Sequence, residues 1–121
     1  MKILVCGGRN FDKPLWLSRI LDTYKEATHV IHGAYKGADT LAHDWALANG
    51  IQAVACPAAW NYYDKVAGYK RNAAMLELLT DKDIVVAFPG GPGTAMMCKL
   101  AREKGIRVDE YKEEESSETG A

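Results

Sequence analysis

Residues 89–94 read PGGPGT, and a threonine behind three glycines is a pattern that suits an anion. Glycines let backbone N–H groups approach a phosphate closely, and a helix that begins there turns its positive end to the same point. Thr94 adds a hydroxyl. One glycine would be enough for a plain strand-to-helix turn, so Pro89, Gly90, Gly91, Gly93 and Thr94 are read as a phosphate loop. It is not the Walker pattern, which needs a lysine after the last glycine; Thr94 stands there.

Three other stretches carry polar chemistry. In CGGRNF, Gly7 and Gly8 allow a ligand to lie against the backbone, and Arg9 can grip a phosphate with two N–H groups. Taken alone, this loop is equally well a turn with a solvated arginine. In HGAYKGADTLA, Gly33 and Gly37 bracket a turn and Asp39 falls in the first turn of a helix. There Asp39 either favours the helix dipole, or accepts ribose hydroxyls or activates a water; the two readings weigh equally. Lys36 is read as a solvated charge. In WNYYDKVAGYKRNAAM, Trp60 is the ring best suited to stack on a base, while Tyr62 and Tyr63 suit packing over the sheet edge. Arg71 and Asn72 open a helix beside the same cleft, with Arg71 a candidate phosphate ligand.

The elements that must position these residues follow from the apolar pattern. Short apolar runs at residues 2–6, 28–32, 51–56, 83–88 and 106–111 read as strands. Helices are expected over 13–26, with Asp12 as its cap, and over 37–49, 70–79 and 92–104. Gly50 supplies a left-handed stop, and residues 57–68 form a long connection. Strands that alternate with helices and are themselves continuously apolar indicate a parallel sheet covered on both faces. The expected fold is an α/β, Rossmann-like three-layer sandwich of about five parallel strands in order 3-2-1-4-5. That order reverses between the first and fourth strands, which is where such sheets bind ligands, and both GG loops fall there.

Composition narrows the classes. A chain of 121 residues suits one domain, residues 1–111, followed by a polar, acidic tail at 112–121 that is expected to be disordered. The net charge of −1 gives no pull toward nucleic acid, which makes single-stranded DNA binding the weakest of the readings. No apolar run reaches the roughly 20 residues of a membrane span, and the chain opens directly on a strand. Three scattered cysteines, Cys6, Cys56 and Cys98, fit a reducing cytoplasm, with Cys6 and Cys56 buried at strand ends. His29, His32 and His43 lack metal-ligand spacing with them, so no metal is expected, and His32 is read as a satisfied structural histidine. Met75, Met96 and Met97 are read as core filler. Without GxGxxG, nicotinamide-type redox chemistry is unsupported, and no cofactor is required beyond a nucleotide-type ligand.

Together GGR, HGAYKGADTLA, the spaced W…AG..RN..M and FPGGPGT resemble the SLOG superfamily, named for the DprA/Smf and LOG proteins, and within it the small YspA-like branch. The resemblance covers residues 2–111. It implies a Rossmann-like fold that binds nucleotides or molecules derived from them, as a sensor or sequestering module. LOG proteins are phosphoribohydrolases that cut the N-glycosidic bond of a nucleoside monophosphate, with a PGGxGTxxE motif and an upstream Arg followed four residues on by Met. Arg71 and Met75 match that earlier part, and residues 89–94 match the phosphate loop. The glutamate does not match, because its place holds Met97. Glycosidic cleavage needs a carboxylate near its oxocarbenium-like state, so the departure favours binding over cleavage, with Asp39 and Arg71 as the only catalytic candidates. Relatives are often dimers, which leaves a homodimer or higher homo-oligomer open.

Overall fold

The computed structural model describes residues 1–58 and 65–112. In chain order the elements are β1 (Lys2–Cys6), α1 (Pro14–Leu21), β2 (His29–His32), α2 (Ala38–Ala48), β3 (Gln52–Ala55), α3 (Lys65–Glu77), β4 (Ile84–Ala87), α4 (Pro92–Glu103) and β5 (Arg107–Glu110). The five strands form one sheet in the order β3-β2-β1-β4-β5, and every pairing is parallel. The order read from the alternation of strands and helices is therefore the order observed.

Register explains why the strands are apolar throughout. Leu4 pairs with Ile31 on one side and Val85 on the other, and Val54 and Val108 extend the row to the sheet edges. This row packs under Met75, Leu76 and Leu79 around α3 and under Met97 and Ala101 of α4. Ile3, Val30, Ile84 and Val86 face the other way, onto Trp16, Leu17 and Leu21 of α1 and Ala38, Ala42 and Trp45 of α2. The buried residues of β1 and β4 thus have helices over both faces of the sheet. Full burial of a Leu, Ile or Val side chain is worth about 1.5–3 kcal/mol, and Ile3, Leu4, Val30 and Val85 have no exposed surface.

Several boundaries differ from expectation. Helix α1 stops at Leu21, five residues early, because the chain tightens there into i→i−3 bonds: Thr23 N–H to Ile20 O (3.0 Å) and Tyr24 N–H to Leu21 O (3.0 Å). Tyr24 leaves the helix face and donates its hydroxyl to Asp109 (2.7 Å) on β5. The helix begins after Lys13 with no side-chain cap, so Asp12 is not the cap that proline at the first turn suggested. Helix α3 begins at Lys65 rather than at residue 70, and carries Gly68 inside it. A glycine in a helix interior costs about 1 kcal/mol against alanine and so reads as loop. Gly68 is buried and forms part of a cleft wall. Cys6 and Cys56 are only half-buried, and the fully buried thiol is Cys98.

Candidate functional site

At the carboxyl ends of β1, β2 and β4 the loops to α1, α2 and α4 surround a cleft of about 940 Å³. It lies where the strand order reverses, the usual ligand position in an open parallel sheet. The structure brings most of the sequence candidates to it. Gly7, Gly8 and Arg9 line it from the first loop, Gly33 and Asp39 from the second, Arg71 and Asn72 from α3, and Pro89, Gly90, Gly91, Gly93 and Thr94 from the fourth-strand loop. Gly37 lies beneath it instead, at positive φ (74°) against Gly8 and Arg9. Trp60, Tyr62 and Tyr63 lie outside the described residues, as does the tail beyond Lys112.

The loops are tied to one another through single peptide groups. Gly8 N–H donates to Pro89 O (2.8 Å), and Gly8 O accepts from Ala38 N–H at the start of α2 (3.2 Å) and from Phe11 N–H (3.2 Å). One residue of the first loop therefore fixes the second and fourth. The approach is close enough that a Cβ on Gly7 would lie 2.6 Å from Ala38 Cβ, and one on Gly90 would lie 2.7 Å from Gly8 N. Phe11 anchors the first loop by packing on Phe88 (centroids 5.3 Å apart), which is itself buried.

Gly91 and Gly93 are different. A Cβ on either would meet no atom of the described residues within 4 Å beyond its chain neighbours and own helix backbone, and neither has positive φ. Nothing among the described residues crowds either position; the space that a side chain would fill is open. Gly91 is also the N-cap of α4, which has Pro92 in its first turn, no side-chain cap and no acidic residue in that turn. The first intrahelical bond is Ala95 N–H to Gly91 O (3.1 Å), so the N–H groups of Gly93 and Thr94 have no partner within the helix. Orphan N–H groups and the helix dipole together favour an anion at this point.

Opposite this turn, Asp39 and Arg71 meet on the two sides of the Gly33 peptide. Asp39 Oδ2 accepts from Gly33 N–H (2.9 Å) and Tyr35 N–H (3.3 Å). Arg71 donates from Nη1 to Gly33 O (2.8 Å) and from Nε to Asn72 Oδ1 (2.9 Å). Asp39 and Asn72 are buried. Burial raises the pKa of Asp39, and the amides of Tyr35 and Gly33 and the charge of Arg71 only partly offset this. The arrangement also shows which backbone donors are already engaged. Gly8 N–H is bound to Pro89 and Gly33 N–H to Asp39, whereas the Gly93 and Thr94 N–H groups at the first turn of α4 have no partner among the described residues.

The remaining walls were not singled out in the sequence as cleft residues. Asn10, Asp12 and Lys13 follow Arg9 along the first loop, and Tyr35 rises from the second. Met75, Met96 and Met97 form the apolar side below α3 and α4. Met97, in the glutamate position, is buried in the core under β1 and β4, as is Met75, whereas Met96 is only half-buried. His32 is buried, accepts Ala34 N–H at Nδ1 (2.9 Å) and contacts His43 Nδ1 through Nε2 (2.9 Å). Among the described residues no three His, Cys, Asp or Glu side chains gather as a metal site requires. Nor is any described helix long and apolar enough to cross a membrane.

A doubly wound parallel sheet with glycine-rich loops converging on its switch point defines a Rossmann-like α/β domain. Within that class the chain belongs to the YspA, cpYpsA-related SLOG family, whose model matches residues 1–63. The match takes in β1 to β3 and the first two loops; the fourth-strand loop lies beyond it. The chain is also similar to the Gene 61 protein of Mycobacterium phage D29, at 28% identity over 123 residues, covering 88% of this chain and 93% of that protein. No solved structure matches significantly.

Proposed function

We propose that the chain binds a nucleotide, or a molecule derived from one, in the cleft at the switch point, as a sensor or sequestering module. The observation that carries this reading is the first turn of α4: N–H groups without a partner among the described residues, no capping side chain, and two cleft-lining glycines whose missing side chains leave open space. A phosphate takes the amides of Gly93 and Thr94 and the Thr94 hydroxyl. Arg9, exposed at the rim, adds positive charge. The sugar lies toward Asp39 and Arg71, and the apolar wall of Met75, Met96 and Tyr35 receives the base. SLOG membership supports a nucleotide-related role in general. Calorimetry with nucleoside mono- and diphosphates, cyclic nucleotides and ADP-ribosyl compounds tests it. Binding to at least one class is expected, and no heat with any of them in folded protein contradicts it.

One observation favours a second reading, a phosphoribohydrolase. Asp39 is a buried carboxyl with a raised pKa beside a cationic side chain in the cleft, which is the profile of an acid–base group. Against it stand Met97, which offers no carboxylate, and the two backbone amides that already occupy Asp39 Oδ2. Incubation with AMP followed by chromatography for free adenine separates the readings. Turnover that disappears in Asp39→Asn favours the enzyme; binding without turnover favours the sensor.

A further inference from the structure

His32 sits behind the cleft, with no place among its lining residues, yet its hydrogen bonds determine the shape of one cleft wall. Its Nδ1 accepts the Ala34 N–H at 2.9 Å. A ring nitrogen that accepts cannot also carry a proton, so the neutral ring holds its proton on Nε2. That nitrogen faces His43 Nδ1 at 2.9 Å, with the rings perpendicular and their centroids 5.0 Å apart. Nε2–H therefore donates to His43, and only one arrangement of protons satisfies both bonds. A proton added to either ring sets donor against donor at one of them.

The bond to Ala34 matters because of the conformation it holds. Ala34 is the only described non-glycine residue at positive φ (58°), a region that costs an alanine about 1–2 kcal/mol. This left-handed residue turns the chain so that Gly33 N–H and Tyr35 N–H both reach Asp39 Oδ2 while Gly33 O reaches Arg71. Asp39 and Arg71, two of the charged groups of the cleft, are thus placed by a strained turn whose middle amide is held by an imidazole. The titratable and charged groups that act on that imidazole are His43 of α2 and Arg71 of α3, while Cys56, just beyond β3, bonds His32 O through its amide.

We infer that His32, locked as the Nε2–H tautomer by His43, is a positioning residue for the cleft: it holds Ala34 in the left-handed turn that sets Asp39 and Arg71. Protonation of His32 removes the acceptor and releases the turn. Burial, with help from His43 and Arg71, lowers its pKa from 6.5 to about 4, so the neutral, holding form persists through neutral and mildly acidic pH. Ligand affinity is then expected to fall as pH drops toward 4.

The inference rests on the nucleotide-binding reading for its functional arm alone, and a ligand-free measurement keeps the two separable. In protein with ¹⁵N-labelled histidine, His32 should show a protonated Nε2 and an unprotonated Nδ1 at pH 7. The amides of Gly33, Ala34 and Tyr35 should shift together as His32 titrates. A protonated Nδ1 at pH 7, or an Ala34 amide that ignores the titration, overturns the inference whether or not any nucleotide binds. For the functional arm AMP is the probe. His32→Phe, which keeps the ring but loses the acceptor, should weaken AMP binding about tenfold. His32→Asn, whose Oδ1 can replace Nδ1, should restore affinity to within about threefold and flatten its dependence below about pH 5, where His32 begins to take its proton. Wild-type affinity in His32→Phe, or an unchanged pH profile in His32→Asn, overturns the inference. If AMP does not bind the wild type, the proposed function is what fails, and the labelled-histidine result still decides the role of His32.

Discussion

Gly90 and Gly91 are neighbours in sequence and opposites in structure, which makes them a sharp pair to substitute. A methyl group on Gly90 would lie 2.7 Å from Gly8 N and 2.9 Å from Gly7 C, and would also meet Thr94 Oγ1. Two of those atoms are backbone, fixed by the Gly8–Pro89 hydrogen bond and the packing of Gly7 on Ala38, so they cannot swing aside. Overpacking of this kind costs about 1–3 kcal/mol, and disturbance of the Gly8–Pro89 bond adds about 1 kcal/mol. For a chain of 121 residues, at about 4 °C per kcal/mol, Gly90→Ala should lower Tm by roughly 8–15 °C. A methyl group on Gly91 meets nothing within 4 Å beyond its chain neighbours, and φ −101° is outside the left-handed region. Gly91→Ala reduces unfolded-chain entropy but puts alanine at an N-cap, two opposing effects of about 1 kcal/mol or less each, so its Tm should stay within about 3 °C of wild type. Thermal unfolding followed by circular dichroism reads both. Equal losses in the two variants, or a neutral Gly90→Ala, would refute the view that Gly90 serves the fold while Gly91 serves the cleft. A bulkier Gly91→Val should keep the fold and remove nucleotide binding.

The remaining expectations concern other parts of the same framework. Asp83 is buried and accepts from Lys2 N–H, Thr80 N–H and Thr80 Oγ1, so Asp83→Ala should cost about 2–4 kcal/mol in urea unfolding. Burial alone would raise the Asp83 pKa, but these bonds outweigh it and the net shift is downward. Its stabilising effect is therefore complete above the usual 3.8 and is lost as pH falls below it, which acid unfolding of wild type against Asp83→Asn should show. His32 has the same sign: below 6.5 the unfolded chain takes its proton first, so stability should drop by roughly 2 kcal/mol as pH falls from 6.5 to 4, and less in His32→Asn. Met97→Glu places a carboxylate among Leu4, Met75 and Ala101, and should cost about 3 kcal/mol at pH 7 and less at pH 4, read by urea midpoints. Arg71→Lys loses the fork that spans Gly33 O and Asn72 Oδ1, and should weaken nucleotide binding about tenfold while Tm changes by a few degrees.

Much of this structure was legible because its signals are local. Runs such as Ile84, Val85 and Val86 name buried parallel strands, and their alternation with helices leaves few topologies; the order 3-2-1-4-5 followed. The glycine loops were legible because glycine marks close backbone approach, and Gly7, Gly8 and Gly90 are so crowded. What each glycine does there was not legible. That Gly8 and Gly33 spend their amides on Pro89 and Asp39 depends on residues 81 and 6 positions away in sequence. Tyr24 fitted a helical period, but its hydroxyl is drawn to Asp109 and Tyr111 at the far edge of the sheet. Gly68 looked like loop because its helix cost is visible in sequence and its place in the cleft wall is not. The histidine pair was hidden for the same reason: an eleven-residue spacing carries no signal until β2 and α2 pack together.

The central claim is that a phosphate-bearing nucleotide sits at the first turn of α4. Amide chemical shifts of ¹⁵N-labelled protein, titrated with the nucleotide panel, test the place as well as the fact of binding. The amides of Gly91, Gly93 and Thr94 should move first and saturably with at least one ligand, accompanied by Arg71 and Tyr35 across the cleft. No saturable shift with any nucleotide, or shifts centred at the other end of the sheet around Thr80 and Asp83, would contradict it.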